Sequence, residues 1–93
     1  MKRVVFSADA RRDVAQAWEY IAADNVTPAN GFLARIEYAL DLLAGMPTMG
    51  HTRDARYRFW TVKPCLIAYR FNSRTVTVVR LIHGARDLRR IFR

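Results

Sequence analysis

The chain has 93 residues, 52% of them hydrophobic and 26% charged, with 16 Lys/Arg against 8 Asp/Glu and a formal charge of +8. That length supports one domain burying roughly 60–65% of the surface of its unfolded chain, which excludes a multidomain enzyme or a large fold enclosing a cofactor. The single cysteine, Cys65, excludes an internal disulfide and any multi-cysteine metal site, and reads as a small buried hydrophobe in a strand.

The chain opens on Lys2-Arg3 and then Val4-Val5-Phe6, a short apolar run of β-formers that predicts a strand. No long apolar core follows the basic pair, and no run approaches the roughly 18 apolar residues of a membrane span. A soluble, cytoplasmic protein is the expectation. Ser7 offers a helix N-cap with Asp9 in the first turn, where the helix dipole favours an acid. Ala10, Val14, Ala17, Trp18 and Ile21 then recur at helical spacing, while Arg12, Asp13, Gln16 and Glu19 fall on the outward side. This predicts an amphipathic helix over about residues 8–24. After the turn Asp24-Asn25-Val26, Thr27-Pro28 reads as a cap followed by proline at the first helical position. Phe32, Ile36, Ala39, Leu40 and Leu43 form the stripe of a second helix, stopped by Gly45 and Pro47. Two helices joined by so short a loop pack as an antiparallel hairpin.

Residues 46–56 read as loop, and beyond them the period changes to two. Tyr57, Phe59 and Thr61 alternate with Arg58 and Trp60 in a strand ending before Lys63-Pro64. Leu66–Phe71 is a second strand, Asn72-Ser73 a tight turn, and Thr75–Ile82 a third strand, apolar on both sides as a central strand should be. His83-Gly84 breaks it, and Leu88, Ile91 and Phe92 suggest a short terminal helix. The order is β-α-α-β-β-β with a possible terminal α. It predicts an α+β domain spanning 1–93, a helical hairpin packed on a small antiparallel sheet.

Charge is divided unevenly along this order. Residues 1–45 carry a net −1, and residues 46–93 a net +9 with only Asp54 and Asp87 as acids. Such a half favours an anionic partner, either nucleic acid or an acidic protein segment. The chain holds 14 arginines, which suit bidentate recognition of carboxylate or phosphate.

The usual catalytic signatures are missing. Gly31, Gly45, Gly50 and Gly84 lie too far apart for a phosphate loop, and His51 and His83 sit on separate segments without ligand spacing. No metal and no cofactor are expected. The acids lie on helix faces, where a solvated surface is the ordinary reading. Arg80 stands inside an apolar run, where an unpaired guanidinium is very costly. It requires either a bridge to Asp87 or a helix carboxylate, or a role in an anion site on the sheet. His83 reads equally as a structural histidine at a strand end or as a base. Arg89, Arg90 and Arg93 make a basic tail, solvated in the ordinary reading and otherwise free to dock an acidic partner or nucleic acid.

The run from Val78 to Leu88, with His83-Gly84-Ala85-Arg86-Asp87 at its centre, resembles the end of ParE toxins of the RelE/ParE superfamily. The likeness extends to Phe6-Ser7, Ala10, Asp13-Val14, Tyr20-Ile21-Ala22 and Asp24-Asn25, then to Phe32, Ile36, Leu43-Ala44, Pro47, Gly50 and Leu66-Ile67-Ala68-Tyr69-Arg70. It implies the toxin of a type II toxin–antitoxin pair with the fold just derived. ParE-like toxins inhibit DNA gyrase, while RelE-like relatives cleave messenger RNA on the ribosome. Both are neutralised by an antitoxin whose flexible segment wraps the toxin. The resemblance therefore implies a heteromeric complex with a cognate antitoxin, of ribbon-helix-helix type with an acidic segment suited to the +9 half.

RNA cleavage needs cations at the scissile phosphate and a group that moves the 2′-hydroxyl proton. The places where RelE carries basic residues on its second and third strands align with Tyr57, Phe59 and Leu66; only Arg86 matches, and no tyrosine follows. The other route in the superfamily uses a histidine with glutamate and arginine, which leaves His83 with Arg58 or Arg70, but no Glu occurs beyond Glu37. The ParE branch is favoured: a non-enzymatic gyrase inhibitor contacting its partners through Arg58, Arg70, Arg80, Arg86, Arg89 and Arg90. The alternatives are a ribosome-dependent endoribonuclease using His83 and Arg86, and an antitoxin-binding module whose toxicity has decayed.

Overall fold

Ser7 decides where the first strand ends. In the computed structural model, which describes residues 1–52 and 55–84, β1 (Arg3–Phe6) stops at Ser7 and α1 (Ala8–Ala22) begins at once. The Ser7 hydroxyl accepts from Ala10 N–H at 3.0 Å, capping the helix, and donates to the Val79 carbonyl at 2.7 Å. One side chain thus closes the helix terminus and ties it to the sheet.

α2 (Val26–Gly45) starts two residues earlier than Thr27-Pro28 suggests. Asn25, not Thr27, is the cap, its side chain accepting from Thr27 N–H at 3.0 Å. Pro28 falls inside the first turn, where a missing N–H costs no helical hydrogen bond. The stripe Phe32, Ile36, Ala39, Leu40 and Leu43 is buried as its spacing requires. On α1, Ala10 is fully buried, and Val14, Ala17 and Ile21 pack against the same core. Trp18 does not join them. It is half-buried, with its indole N–H donating to Asn30 of α2 at 3.1 Å.

A 3-10 turn (Pro47–Met49) and a two-residue strand β2 (His51–Thr52) occupy part of the segment expected to be loop. β3 (Arg58–Val62), β4 (Cys65–Phe71) and β5 (Thr75–His83) follow, and the strands stand in the order β1-β5-β4-β3-β2. The last four are joined antiparallel, but β1 runs parallel to β5, Arg3 to Phe6 opposite Thr75 to Val78. A parallel pair cannot be joined by a tight turn, and here the helical hairpin and β2–β4 all lie between β1 and β5 in the chain. The β3–β4 turn contains a cis Lys63–Pro64 bond, and its Lys63 carbonyl accepts from Arg35 of α2 at 2.8 Å. The expected terminal helix, with Leu88, Ile91 and Phe92, lies outside the described residues.

Alternation divides the strand side chains between two faces. Val62, Cys65, Ile67, Tyr69, Val76, Val78 and Leu81 form the core under the helices. Phe59, Ala68 and Ile82, of opposite parity, form a smaller buried cluster with Tyr57 and Leu66 on the other face. A register shift between Ala68 and Tyr69, opposite Val79, lets β5 present Val78 and then Leu81 to the same core. The buried Cys65 is the strand hydrophobe expected of it. No described helix is long and apolar enough to cross a membrane.

Candidate functional site

The parallel β1–β5 pair and the antiparallel β5-β4-β3 run bring the starts of β1, β5 and β3 to one end of the sheet, together with the end of β4. Arg58 and Arg70 both sit there. A groove of about 460 Å³ opens between them, lined by Thr52, Ala55, Arg56, Tyr57, Arg58, Arg70 and Phe71. Arg70 is exposed, and its guanidinium makes no hydrogen bond or ion pair among the described residues. Arg56 lies over the Tyr57 ring at 5.3 Å, and Arg58 over the Phe71 ring at 5.8 Å. These contacts fix the planes of two guanidinium groups beside the groove.

Arg58 is also a structural residue. One of its terminal nitrogens donates to the carbonyls of Thr48 and Gly50, at 3.2 and 3.0 Å. Beside it, the buried Tyr69 hydroxyl donates to the Pro47 carbonyl at 2.7 Å and accepts from Gly50 N–H at 2.9 Å. Together they pin residues 47–50 against the sheet and so place β2 along β3. Gly50 is required because an added Cβ would overlap the Tyr69 hydroxyl. Burial raises the Tyr69 pKa above its usual 10.0, while the Gly50 N–H and the Arg58 charge act against that rise.

Arg80 is not part of that end. Its guanidinium donates to both carboxylate oxygens of Asp13, at 2.8 and 3.1 Å. The bridge to a helix carboxylate therefore holds, and Asp87 lies outside the described residues. The outward placement of Asp13 is corrected. At three residues after Ala10 and four before Ala17, it borders the apolar stripe and turns to the sheet edge. β1 reaches only to Val78, so beyond it β5 has an open side, and Asp13 also accepts from Leu81 N–H at 3.0 Å. Ser7 and Asp13 thus take over the edge groups of Val79 and Leu81 where β1 ends.

His83 stands at the far end of β5, opposite Cys65, with its ring 5.7 Å from that of Tyr20. Thr77 is the residue opposite Arg70, so six strand residues, roughly 20 Å, separate His83 from Arg58 and Arg70. A site combining His83 with either arginine is thereby corrected: the antiparallel register carries them to opposite ends. Tyr57, Phe59 and Leu66 belong to the apolar cluster facing away from the helices. Arg86, Arg89 and Arg90 lie outside the described residues. Among the described residues no group of three His, Cys, Asp or Glu could hold a metal. Tyr69, Gly50 and Tyr20 carried no local sequence signal for these roles. Asp13 carried one, its place at the border of an apolar stripe.

Residues 4–88 match the family described as the ParE toxin of the type II toxin–antitoxin system parDE. The chain belongs to the ParE toxin family. It is 30% identical over 92 residues to Toxin ParE3 of Caulobacter vibrioides, covering 95% of this chain and 92% of that one. A solved chain described as the chromosomal ParDE TA system from P. aeruginosa superposes with a TM-score of 0.75, over 90% of this chain and 97% of that one. Identity there is 14%, so that likeness establishes the shared fold: two helices on a five-stranded sheet. Arg58, Arg70, Arg80 and His83 of this ParE-family toxin fall inside the matched residues, whereas Arg89 and Arg90 fall beyond them.

Proposed function

We propose that this ParE-family toxin arrests growth by inhibiting DNA gyrase through binding, without a chemical step of its own, and that a cognate antitoxin neutralises it. The reading is carried by the family match along residues 4–88. The outer face of the sheet supports it: Tyr57, Phe59 and Leu66 stand where RNA-cleaving relatives carry cations, and they form an apolar cluster with Ala68 and Ile82. At those three positions the side chains supply no cation for a developing phosphorane. The toxin works in the cytoplasm, as a target such as gyrase requires.

The antitoxin in this reading is a ribbon-helix-helix protein with an acidic flexible segment, and the pair forms a heteromeric complex. Complementarity supports it, because residues 46–93 carry a net +9. Arg58 and Arg70 at the sheet end, with Arg86, Arg89 and Arg90, are the contact residues proposed. Arg80 is better assigned to the fold, since Asp13 holds it.

Inducible expression tests the proposal in cells. Induction alone should halt growth with a DNA-damage response while protein synthesis continues, and co-expression of the cognate antitoxin should restore growth. Arrest with immediate loss of translation would favour an endoribonuclease, and normal growth would favour a module with decayed toxicity.

A further inference from the structure

Among the described residues the sheet ends in β1 on one side and in β2 on the other, and β5 is open beyond Val78. Ser7 and Asp13 close that part of β5, and β2 is only two residues long. The edge of β1 has neither protection. Arg3 N–H donates to the Arg74 carbonyl at 2.9 Å and Ser7 N–H to the Val78 carbonyl at 3.0 Å, so the odd-numbered residues of β1 bond to β5. Backbone groups of successive strand residues point to opposite sides, which turns the N–H and C=O of Val4 and Phe6 outward. Those groups have no hydrogen-bond partner among the described residues. The Val4 and Phe6 side chains pack on the core, while Val5, on the other face, is 37% exposed.

An unpaired edge of β-formers is a template for another extended chain, whose main-chain hydrogen bonds supply the affinity. Charge selects which chain. Lys2 and Arg3 stand at the start of β1, with Arg74 beside them in the β4–β5 turn. The guanidinium groups of Arg3 and Arg74 have no partner among the described residues. Asp9, the acid nearest to β1 along the chain, is held by Arg12 at 2.9 Å. A second copy of β1 would bring two more cations and no acid to this edge, whereas an acidic segment complements it. Phe71 joins the edge to the arginines proposed as antitoxin contacts, with Lys2 5.9 Å and Arg58 5.8 Å from its ring centre. We propose that the acidic flexible segment of the antitoxin adds to the five-stranded sheet as a further strand along β1, bonded to Val4 and Phe6, and continues past Phe71 to Arg58 and Arg70. This inference rests on the antitoxin reading and specifies how that segment is held.

Amide exchange followed residue by residue by NMR, on the free toxin and on its purified complex with the cognate antitoxin, tests the proposal. In the free toxin Val4 and Phe6 should exchange quickly, while Val5 and Ser7, bonded to β5, are protected. In the complex Val4 and Phe6 should slow on the order of 100-fold, with intermolecular strand-type contacts to β1. Arg3→Glu should weaken antitoxin binding about 5-fold at about 50 mM salt, and Lys63→Glu, the same charge change at the β3–β4 turn, less than about 2-fold. Both side chains are exposed, so melting of the free toxin should be unchanged; if it shifts, exchange in the wild-type complex gives the reading. If no complex forms, the antitoxin reading fails and the added strand with it. A stable complex in which Val4 and Phe6 exchange as in the free toxin overturns the strand alone. Protection of these amides in the free toxin that disappears on dilution would give the edge to a second copy and overturn the proposal. Equal weakening by Arg3→Glu and Lys63→Glu would overturn the acidic path along β1.

Discussion

Asp13 holds Arg80 with both carboxylate oxygens and takes the Leu81 N–H with one of them, at 3.0 Å. A helix side chain thereby replaces the strand that β1 no longer supplies. The pair is 12% exposed at Asp13 and 31% at Arg80, so it is screened only in part. Replacing Asp13 by Ala leaves a guanidinium and an edge N–H without their acceptor. The expected loss is about 2 kcal/mol, less than for a fully buried pair. Asp13→Asn keeps an acceptor and should lose less. Urea unfolding of the two variants measures both, and equal stability of wild type and Asp13→Ala would contradict the assignment.

Tyr69 and Gly50 form a second tie that depends on close approach. Tyr69→Phe removes the partner of the Pro47 carbonyl and of Gly50 N–H, with an expected cost of about 1–3 kcal/mol. Gly50→Ala drives a methyl group into the Tyr69 hydroxyl, and overpacking of that kind costs about 1–3 kcal/mol or more. In the double variant with Tyr69→Phe part of that clash is relieved, so the two losses should fall short of additive. Strict additivity in denaturant unfolding would show that the two sites are independent.

The same tyrosine sets an alkaline limit. Its folded pKa is raised above 10.0, chiefly by burial, so the folded state retains a proton that the unfolded state has lost. This contribution to stability is fully present below the unfolded pKa and is lost as pH rises through the folded one. Wild type should therefore lose stability above about pH 10 more steeply than Tyr69→Phe does. Parallel declines of the two proteins in pH-dependent melting would contradict it.

Trp18 lies between the helices rather than over the sheet, half-buried and bonded to Asn30. Trp18→Ala is therefore expected to cost about 1–2 kcal/mol, well below the 3–5 of a fully buried tryptophan. A larger loss in thermal unfolding would place the ring in the core after all.

The helices and strands were legible because their side chains repeat at periods that only those elements satisfy. Phe32, Ile36 and Leu43 announced one face of α2, and Val76, Val78 and Leu81 announced a central strand. The parallel docking of β1 was not legible, since Val4-Val5-Phe6 suits either direction. Asp13 was assigned outward because its type is polar, while its position beside Ala10 and Ala17 carried the opposite message. The separation of His83 from Arg58 and Arg70 depends on strand direction, which residues close in sequence cannot reveal. The gathering of Lys2, Arg3, Arg70 and Arg74 at one end follows from pairing between segments up to 72 residues apart, the distance in sequence between Arg3 and Thr75.

Gyrase inhibition is tested most directly by adding the purified toxin to a DNA supercoiling reaction with gyrase, beside a translation reaction read for messenger RNA cleavage. The expected result is loss of supercoiling with intact message, reversed by the cognate antitoxin. Cut message with normal supercoiling would contradict it and move the chemistry to His83 and Arg86.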